Sequence, residues 1–289
     1  MRCVARLGLE VGEGPFWDVL RQCWWFVDIR RHAVHSWEPR GNRHRVFAPG
    51  QQVSAVFACG EDRLLIAGRQ QLFTCKPDGS QWAPFGSPLE SGEFLELNDA
   101  KIDSRGRCWV GSLDRQRQHG GHLWRVEPDG SACAVLSGIQ VSNGLAWSLD
   151  ERTLYYIDSL SYQLRAYDFE VDSGDVGQMR VVAEFDPGEG LPDGIAVAGD
   201  GSIWVAMFGA GKLRRFDRDG TSMRSITVPT LNVTSLAFGG ESGCDVLLTT
   251  GTYKLSAEQV AADPDAGAVF VMQAGQPGAP VHAFAASKP

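Results

Sequence analysis

The sequence predicts an all-β fold, a six-bladed β-propeller with four-stranded blades around a central channel, on three observations. One phrase recurs six times: a polar residue, a small apolar strand, an Asp/Gly turn, then an aromatic or branched strand. The phrases begin at Glu13, Ser54, Asn98, Asn143, Asp193 and Thr234, at successive intervals of 41, 44, 45, 50 and 41 residues. Each is followed by a third short run and some by a fourth, and four short strands every 40 or so residues is the spacing of a propeller blade. A helical solenoid has similar periods, but Val, Ile, Trp, Phe and Tyr alternating with turn residues favour strands.

The first repeat, "EGPFWDVLRQCWWFVD", runs into "AVHSWEP" and "RVFA"; the second, "SAVFACGEDRLLIAG", into "QLFTCKPDG". The third, "NDAKIDSRGRCWVGS", continues as "HLWRVEPDG", and the fourth, "NGLAWSLDERTLYYID", as "QLRAYDFE" and "RVVAEF". The fifth is "DGIAVAGDGSIWVAM" with "KLRRFDRDG", and the sixth "TSLAFGGESGCDVLLTT" with "AVFVM". Glu13 to Asp28 and Asn143 to Asp158 are both 15 residues apart, so these repeats are in phase. "CVARL" is expected to close the ring as the outer strand of the sixth blade, with "VHAFA" as its competitor. "SAEQVAADPDAG" interrupts the sixth blade and reads as a rim insertion containing a short helix, Ala257 to Ala262. The expectation is one propeller domain over residues 1–289.

Composition agrees with a turn-dense globular chain: 43% hydrophobic residues allow a sizeable core, and 34 Gly with 14 Pro are spread along the whole length. The net charge of -8 argues against a nucleic-acid partner, because phosphate-backbone affinity comes largely from Lys and Arg. Seven cysteines, an odd number without a Cys-x-x-Cys, indicate neither a disulfide framework nor a thiolate zinc site. No stretch approaches 18 consecutive apolar residues, and "MRCVARLGLEVGEG" lacks an apolar core after its basic residue. The expectations are a cytoplasmic protein without a membrane partner, monomeric or weakly dimeric. The sequon at Asn232 reads as chance.

The first strand of a propeller blade lies nearest the channel, so the residue that opens it in every repeat occupies one level of a ring. Glu13 and Asp193 would then meet at a channel mouth, where two carboxylates repel unless a cation joins them. With the amide oxygens of Asn143 and Asn98 they make an all-oxygen cage for one divalent metal ion. The absence of His and Cys from the ring favours Ca²⁺, Mg²⁺ or Mn²⁺, with Zn²⁺ or Fe²⁺ placed there only by availability. The alternative is that these polar residues merely cap inner strands.

"GEGPFW", "LNDAKID", "VSNGLAWSLDERTLYYIDSLSYQLRAYDFE" and "LPDGIAVAGDGSIWVAMFGAGKL" closely resemble the family of regucalcin (senescence marker protein) and bacterial gluconolactonases. The resemblance runs over most of the chain, in order and at matching spacing. It implies a six-bladed propeller with one catalytic divalent metal, Ca²⁺ first among the candidates, that hydrolyses a small-molecule sugar lactone. It further implies that Glu13, Asn143 and Asp193 ligate the metal and that Asn98 contacts substrate and metal-bound water. Asp193 would be the general base. The alternatives are a phosphotriester hydrolase on the same cage and a non-catalytic calcium-binding or protein-docking propeller.

One position departs from the family pattern. Relatives usually carry Arg two residues before the Asn of the third blade, where this chain has Glu96 in "LELND". With a strand period of two, Glu96 faces the same side as Asn98. It is expected to contact a neutral, hydroxyl-rich lactone, to join the metal shell, or to pair with a lid arginine such as Arg115 or Arg117. His119 and His122 in "DRQRQHGGH" lie in a segment of loop composition that reads first as a solvated loop, and that the resemblance alternatively casts as a lid with Arg115, Arg117 or His119 touching substrate. Trp17, Trp109, Trp147 and Trp204 recur at matching phases and read as packing between blades rather than as sugar platforms.

Overall fold

The computed structural model of the chain describes residues 1–286, most of them in short antiparallel strands. The chain opens with β1 (Arg2–Arg6) and then lays down six four-stranded sheets. Blade one is β2 (Gly12–Asp18), β3 (Cys23–Asp28), β4 (Ala33–Glu38) and β5 (Arg43–Phe47). Blade two is β6 (Val53–Cys59), β7 (Arg63–Gly68), β8 (Leu72–Cys75) and β9 (Ala83–Phe85). Blade three is β10 (Leu95–Ile102), β11 (Cys108–Asp114), β12 (Gly121–Val126) and β13 (Ala132–Ile139). Blade four is β14 (Ser142–Trp147), β15 (Thr153–Asp158), β16 (Gln163–Glu170) and β17 (Asp175–Glu184). Blade five is β18 (Leu191–Val197), β19 (Ile203–Phe208), β20 (Lys212–Phe216) and β21 (Ile226–Thr227). Blade six is β22 (Val233–Gly239), β23 (Asp245–Thr250) and β24 (Ala268–Gln273), completed by β1. The result is a six-bladed β-propeller.

The ring is closed by "CVARL": β1 pairs antiparallel with β24, from Arg2 against Val271 to Arg6 against Ala268. One blade is thus built from both ends of the chain, so the first and last blades cannot separate without breaking a sheet. The competing "VHAFA" instead packs against blade two, where Phe284 donates its backbone N–H to Ala58 O at 2.9 Å. Between β23 and β24 lies the short helix α1 (Ala257–Ala262), started by a capping box between Ser256 and Gln259.

Two features of the repeat have a physical cause. The equal phase of Asp28 and Asp158 is a hydrogen-bonding device: Asp28 accepts the N–H groups of Glu10 and Val11, and Asp158 those of Gln140 and Val141. Each buried carboxylate thereby ties the chain three and two residues before a ring residue to the second strand of its blade. The tryptophans pack between blades: Trp109 of blade three lies 5.9 Å from Trp147 of blade four, and Trp204 of blade five 5.3 Å from Phe238 of blade six. Burying such large rings at these blade junctions holds the sheets face to face, which apolar burial of about 25 cal/mol per Å² makes a dominant stabilising term. All seven cysteines are free thiols.

Candidate metal and substrate site

Every inner strand carries a register shift at the repeated polar position. In β6 and β22 it leaves Ser54 and Thr234 between paired neighbours; in β10 it leaves Asn98 and Asp99, and in β18 Asp193 and Gly194. In β2 and β14 it begins at Glu13 and Asn143 themselves. Such a bulge breaks the alternation of faces and re-aims a side chain. This is why the ring residue can turn toward the channel while the strand beyond it keeps its apolar side chains in the blade junctions.

The glycine after the ring residue serves the same approach. A Cβ at Gly144 would lie 2.6 Å from Asp193 O, and one at Gly194 would lie 2.2 Å from Ser235 Oγ. The Asn-Gly and Asp-Gly pairs are therefore places where the backbone of the next blade comes close, not hairpin turns.

Hydrogen bonds tie Asn98 to Asn143 and lead on to the residue before Asp193, and Glu13 meets Asp193 through its charge. Asn98 Nδ2 donates to Asn143 Oδ1 and to Ser142 O, both at 2.8 Å, and Asn143 Nδ2 donates to Ser159 Oγ at 2.8 Å. Ser159 Oγ donates in turn to Pro192 O at 2.6 Å, next to Asp193. Glu13 Oε2 accepts the N–H of Gly14 at 3.1 Å. Asp193 Oδ1 is buried without a hydrogen-bond partner among the described residues, as is Ser54 Oγ. Thr234 Oγ1 lies in hydrogen-bonding contact with Gly12 O, which joins blade six to blade one.

Two residues that sequence reasoning passed over belong to the group. Asp99, in the bulge beside Asn98, is buried, and its charge acts on both Glu13 and Asp193. Lys101, two residues on, is the cation opposite Glu13 and Asp99. "LNDAKID" held the signal: once a bulge takes up one residue, Asp99 and Lys101 fall on one side of β10. Burial, followed by the charge of Asp99, pushes the Glu13 carboxyl up to about 8. Burial also raises Asp99, and burial with the charges of Glu13 and Asp99 holds Asp193 well above the carboxylate range. Burial lowers Lys101, while the two carboxylates oppose that.

The donor set fits a hard cation. Among the described residues no cluster of three His, Cys, Asp or Glu side chains suits a metal by itself, so the set depends on amide oxygens. Glu13 and Asp193 supply charge and Asn143 Oδ1 a neutral oxygen, with its orientation fixed by Asn98 and Ser159. A bound cation would give the partnerless Asp193 Oδ1 a partner and would oppose the mutual repulsion and burial that raise these carboxyls.

Around this group, Glu96 takes the third of its expected positions. Its Oε1 accepts from Arg115 Nη1 at 2.8 Å and lies 3.3 Å from Arg69 Nε, while Gln52 Nε2 is 3.4 Å from Oε2. Arg117 instead reaches toward Gln140 O. His119 is exposed, its Nδ1 3.1 Å from Gly138 O, so its ring is bonded within its own blade rather than to a channel residue. His122 lies in β12 rather than in a loop, with Nδ1 3.0 Å from the buried Glu90, which also accepts from Ser112 and Trp124.

Comparison with known proteins gives a consistent result. Residues 11–252 match a family model described as SMP-30/Gluconolactonase/LRE-like region. The 6-deoxy-6-sulfogluconolactonase of Pseudomonas putida is 30% identical over 287 residues, covering 99% of this chain and 98% of that protein. The regucalcin of Danio rerio is 29% identical over 290 residues, covering 98% of each. Among solved structures, a calcium-binding protein, regucalcin, from Agrobacterium tumefaciens superposes with a TM-score of 0.92 at 23% identity, covering 99% of this chain and 97% of that one.

Proposed function

Because the chain belongs to the SMP-30/gluconolactonase/LRE-like family, whose named relatives support lactone hydrolysis, we propose that it is a divalent-metal-dependent lactonase. It would convert sugar (aldono-) lactones to aldonic acids. What supports this reading is the charge of Glu13 acting on Asp193, the hydrogen-bonded path from Asn143 through Ser159 to Pro192 O beside Asp193, and one Asp193 oxygen left without a partner. Glu13, Asn143 and Asp193 hold the ion, for which Ca²⁺ is the first candidate by its preference for oxygen ligands, with Mg²⁺, Mn²⁺, Zn²⁺ and Fe²⁺ as alternatives. When bound, the ion supplies Lewis acidity toward the lactone carbonyl.

The chain's own residues do the rest. Asp193 accepts the proton of the attacking water. Asn98 holds Asn143 through Nδ2, which leaves its own Oδ1 to orient water or a sugar hydroxyl. Lys101 offsets the charge of Glu13 and Asp99 behind the site.

The test is a panel of sugar lactones assayed with each divalent ion, spontaneous hydrolysis subtracted. Asp193→Ala is expected to remain folded, to bind the ion more weakly and to lose about 10²-fold or more in turnover. Normal lactonase activity in the folded variant would remove Asp193 from the mechanism. A wild-type chain that hydrolyses no lactone with any ion would end the lactonase reading.

A further inference from the structure

The side chains around Glu96 present a cation where the carboxylate by itself would present an anion. Glu96 and Asn98 are two residues apart on β10, roughly 7 Å along the strand, so they share one rim of the channel. Two guanidiniums, those of Arg115 and Arg69, meet the single carboxylate of Glu96 and leave one positive charge in surplus. Glu96 is almost wholly buried at its side chain, at 10% exposure, whereas Arg115 and Arg69 are 55% and 48% exposed. The carboxylate thus lies behind and the guanidiniums lie in front.

Both arginines are fixed from the backbone as well. Arg69 O accepts the N–H of Leu97 at 2.7 Å, and Arg69 Nη2 donates to Glu93 O at 2.6 Å. Arg115 N donates to Phe94 O at 2.9 Å. The loop that Arg115 opens is held at its base by Asp114, which accepts the N–H groups of Gln116, Gln118 and Gly120. A guanidinium whose stem is held by its neighbours loses less entropy on binding an oxyanion than a free surface arginine, and its planar fork matches carboxylate, sulfonate or phosphate oxygens.

We propose that Arg115 and Arg69, positioned by Glu96, form an anion subsite at the rim, and that the preferred substrate is a lactone carrying an acidic group away from its ring ester. Glu96 acts as a positioning residue that aims two cations at the substrate. The proposal rests on the lactonase reading for its substrate class and on this geometry for its charge.

The test compares a neutral aldonolactone with the same ring bearing a terminal carboxylate, sulfonate or phosphate, at low and high salt. Wild type is expected to prefer an acidic lactone by about tenfold or more in kcat/KM, through KM, with the preference shrinking at high salt. In Arg69→Gln/Arg115→Gln the ratio of acidic to neutral kcat/KM should collapse toward one, with partial recovery in Arg115→Lys. In Glu96→Gln the surplus charge grows from one to two while the shared anchor is lost, so a lowered ratio supports Glu96 as the positioning residue and a raised ratio overturns that role. Which acid group gives the largest ratio identifies the oxyanion. A wild-type preference for the neutral lactone, or a ratio untouched in the double variant, overturns the subsite. If no lactone is turned over, the lactonase reading falls, and binding of the corresponding open-chain acids decides the subsite. Tighter binding of the doubly acidic compound that disappears in the double variant supports it, and equal binding overturns it.

Discussion

Asn98 in blade three donates from Nδ2 to Asn143 Oδ1 in blade four across 2.8 Å, so one candidate ligand is oriented by a residue 45 positions earlier. The same Nδ2 also reaches Ser142 O, which ties the two inner strands together at the level of the ring. Asn98→Ala should leave the propeller folded but remove one of the two hydrogen bonds that orient the Asn143 amide, the other being to Ser159. Loss of a partner that orients a metal ligand costs about 10- to 100-fold in metal affinity or activity. Titration of the variant with Ca²⁺, alongside kcat/KM on the best lactone, checks this; wild-type values in both would mean that Asn143 needs no support.

The metal-free protein should become less stable as pH rises. Glu13 has a folded pKa pushed up to about 8 against an ordinary 4.5, so the folded state holds its proton more tightly than the unfolded one. That contribution is fully present below about 4.5 and is lost as pH rises through about 8. A divalent ion replaces the proton, so its stabilising effect should grow over the same window. At 100-fold excess over its dissociation constant it should reach about 2.7 kcal/mol. Melting curves of chelator-treated protein from acid to mildly alkaline pH, with and without each ion, test both signs. Superimposable curves with Ca²⁺, Mg²⁺, Mn²⁺ and Zn²⁺ would count against the cage.

Acid stability should depend on blade one. Burial, then the neighbouring His44, lowers His35 to about 4, against the opposing charge of Asp28. The His35 ring stacks on Phe26 at 5.1 Å and lies 2.9 Å from His44 across Nδ1 and Nε2. Its folded pKa lies below its unfolded one, so its contribution is present above about 6.5 and is lost as pH falls through about 4. His35→Phe, which keeps a ring against Phe26, should shift the midpoint of acid unfolding to lower pH. An unchanged midpoint would mean that other groups govern the acid limb.

Gly144→Ala should damage the site through the backbone. The added Cβ would meet Asp193 O at 2.6 Å and Ile195 Cγ2 at 2.8 Å, so β14 and β18 must move apart. Overpacking of this kind costs about 1–3 kcal/mol. Because the displaced carbonyl belongs to Asp193, activity should fall further than stability accounts for. Thermal melts and turnover measured together separate the two effects, and turnover matching wild type in the folded variant would show that the strands can part without moving Asp193.

The sequence by itself determined the repeat, and with it the number of blades and the family, and it singled out the polar residue that opens each inner strand. These are legible because they are periodic: each blade must place the same polarity at the same distance from the axis, so the pattern is written six times. Packing of Trp109 against Trp147 could be read in the same way, from recurrence at two phases, Trp17 with Trp147 and Trp109 with Trp204. What only the tertiary structure decided breaks that periodicity or joins distant segments. The bulge at Asn98 brings Asp99 and Lys101 into the group because the register slips where simple alternation would place them on the other face. The choice of β1 over "VHAFA" to close the ring depended on which end could pair with β24. The partners of Glu96 were decided in the same way: alternation gave the side it faces, but Arg69 comes from blade two and Arg115 from the far end of β11. A carboxylate at a crowded rim is neutralised by whichever cation the fold brings within about 3–4 Å, and that distance is set by how the blades stack rather than by any local pattern in the chain.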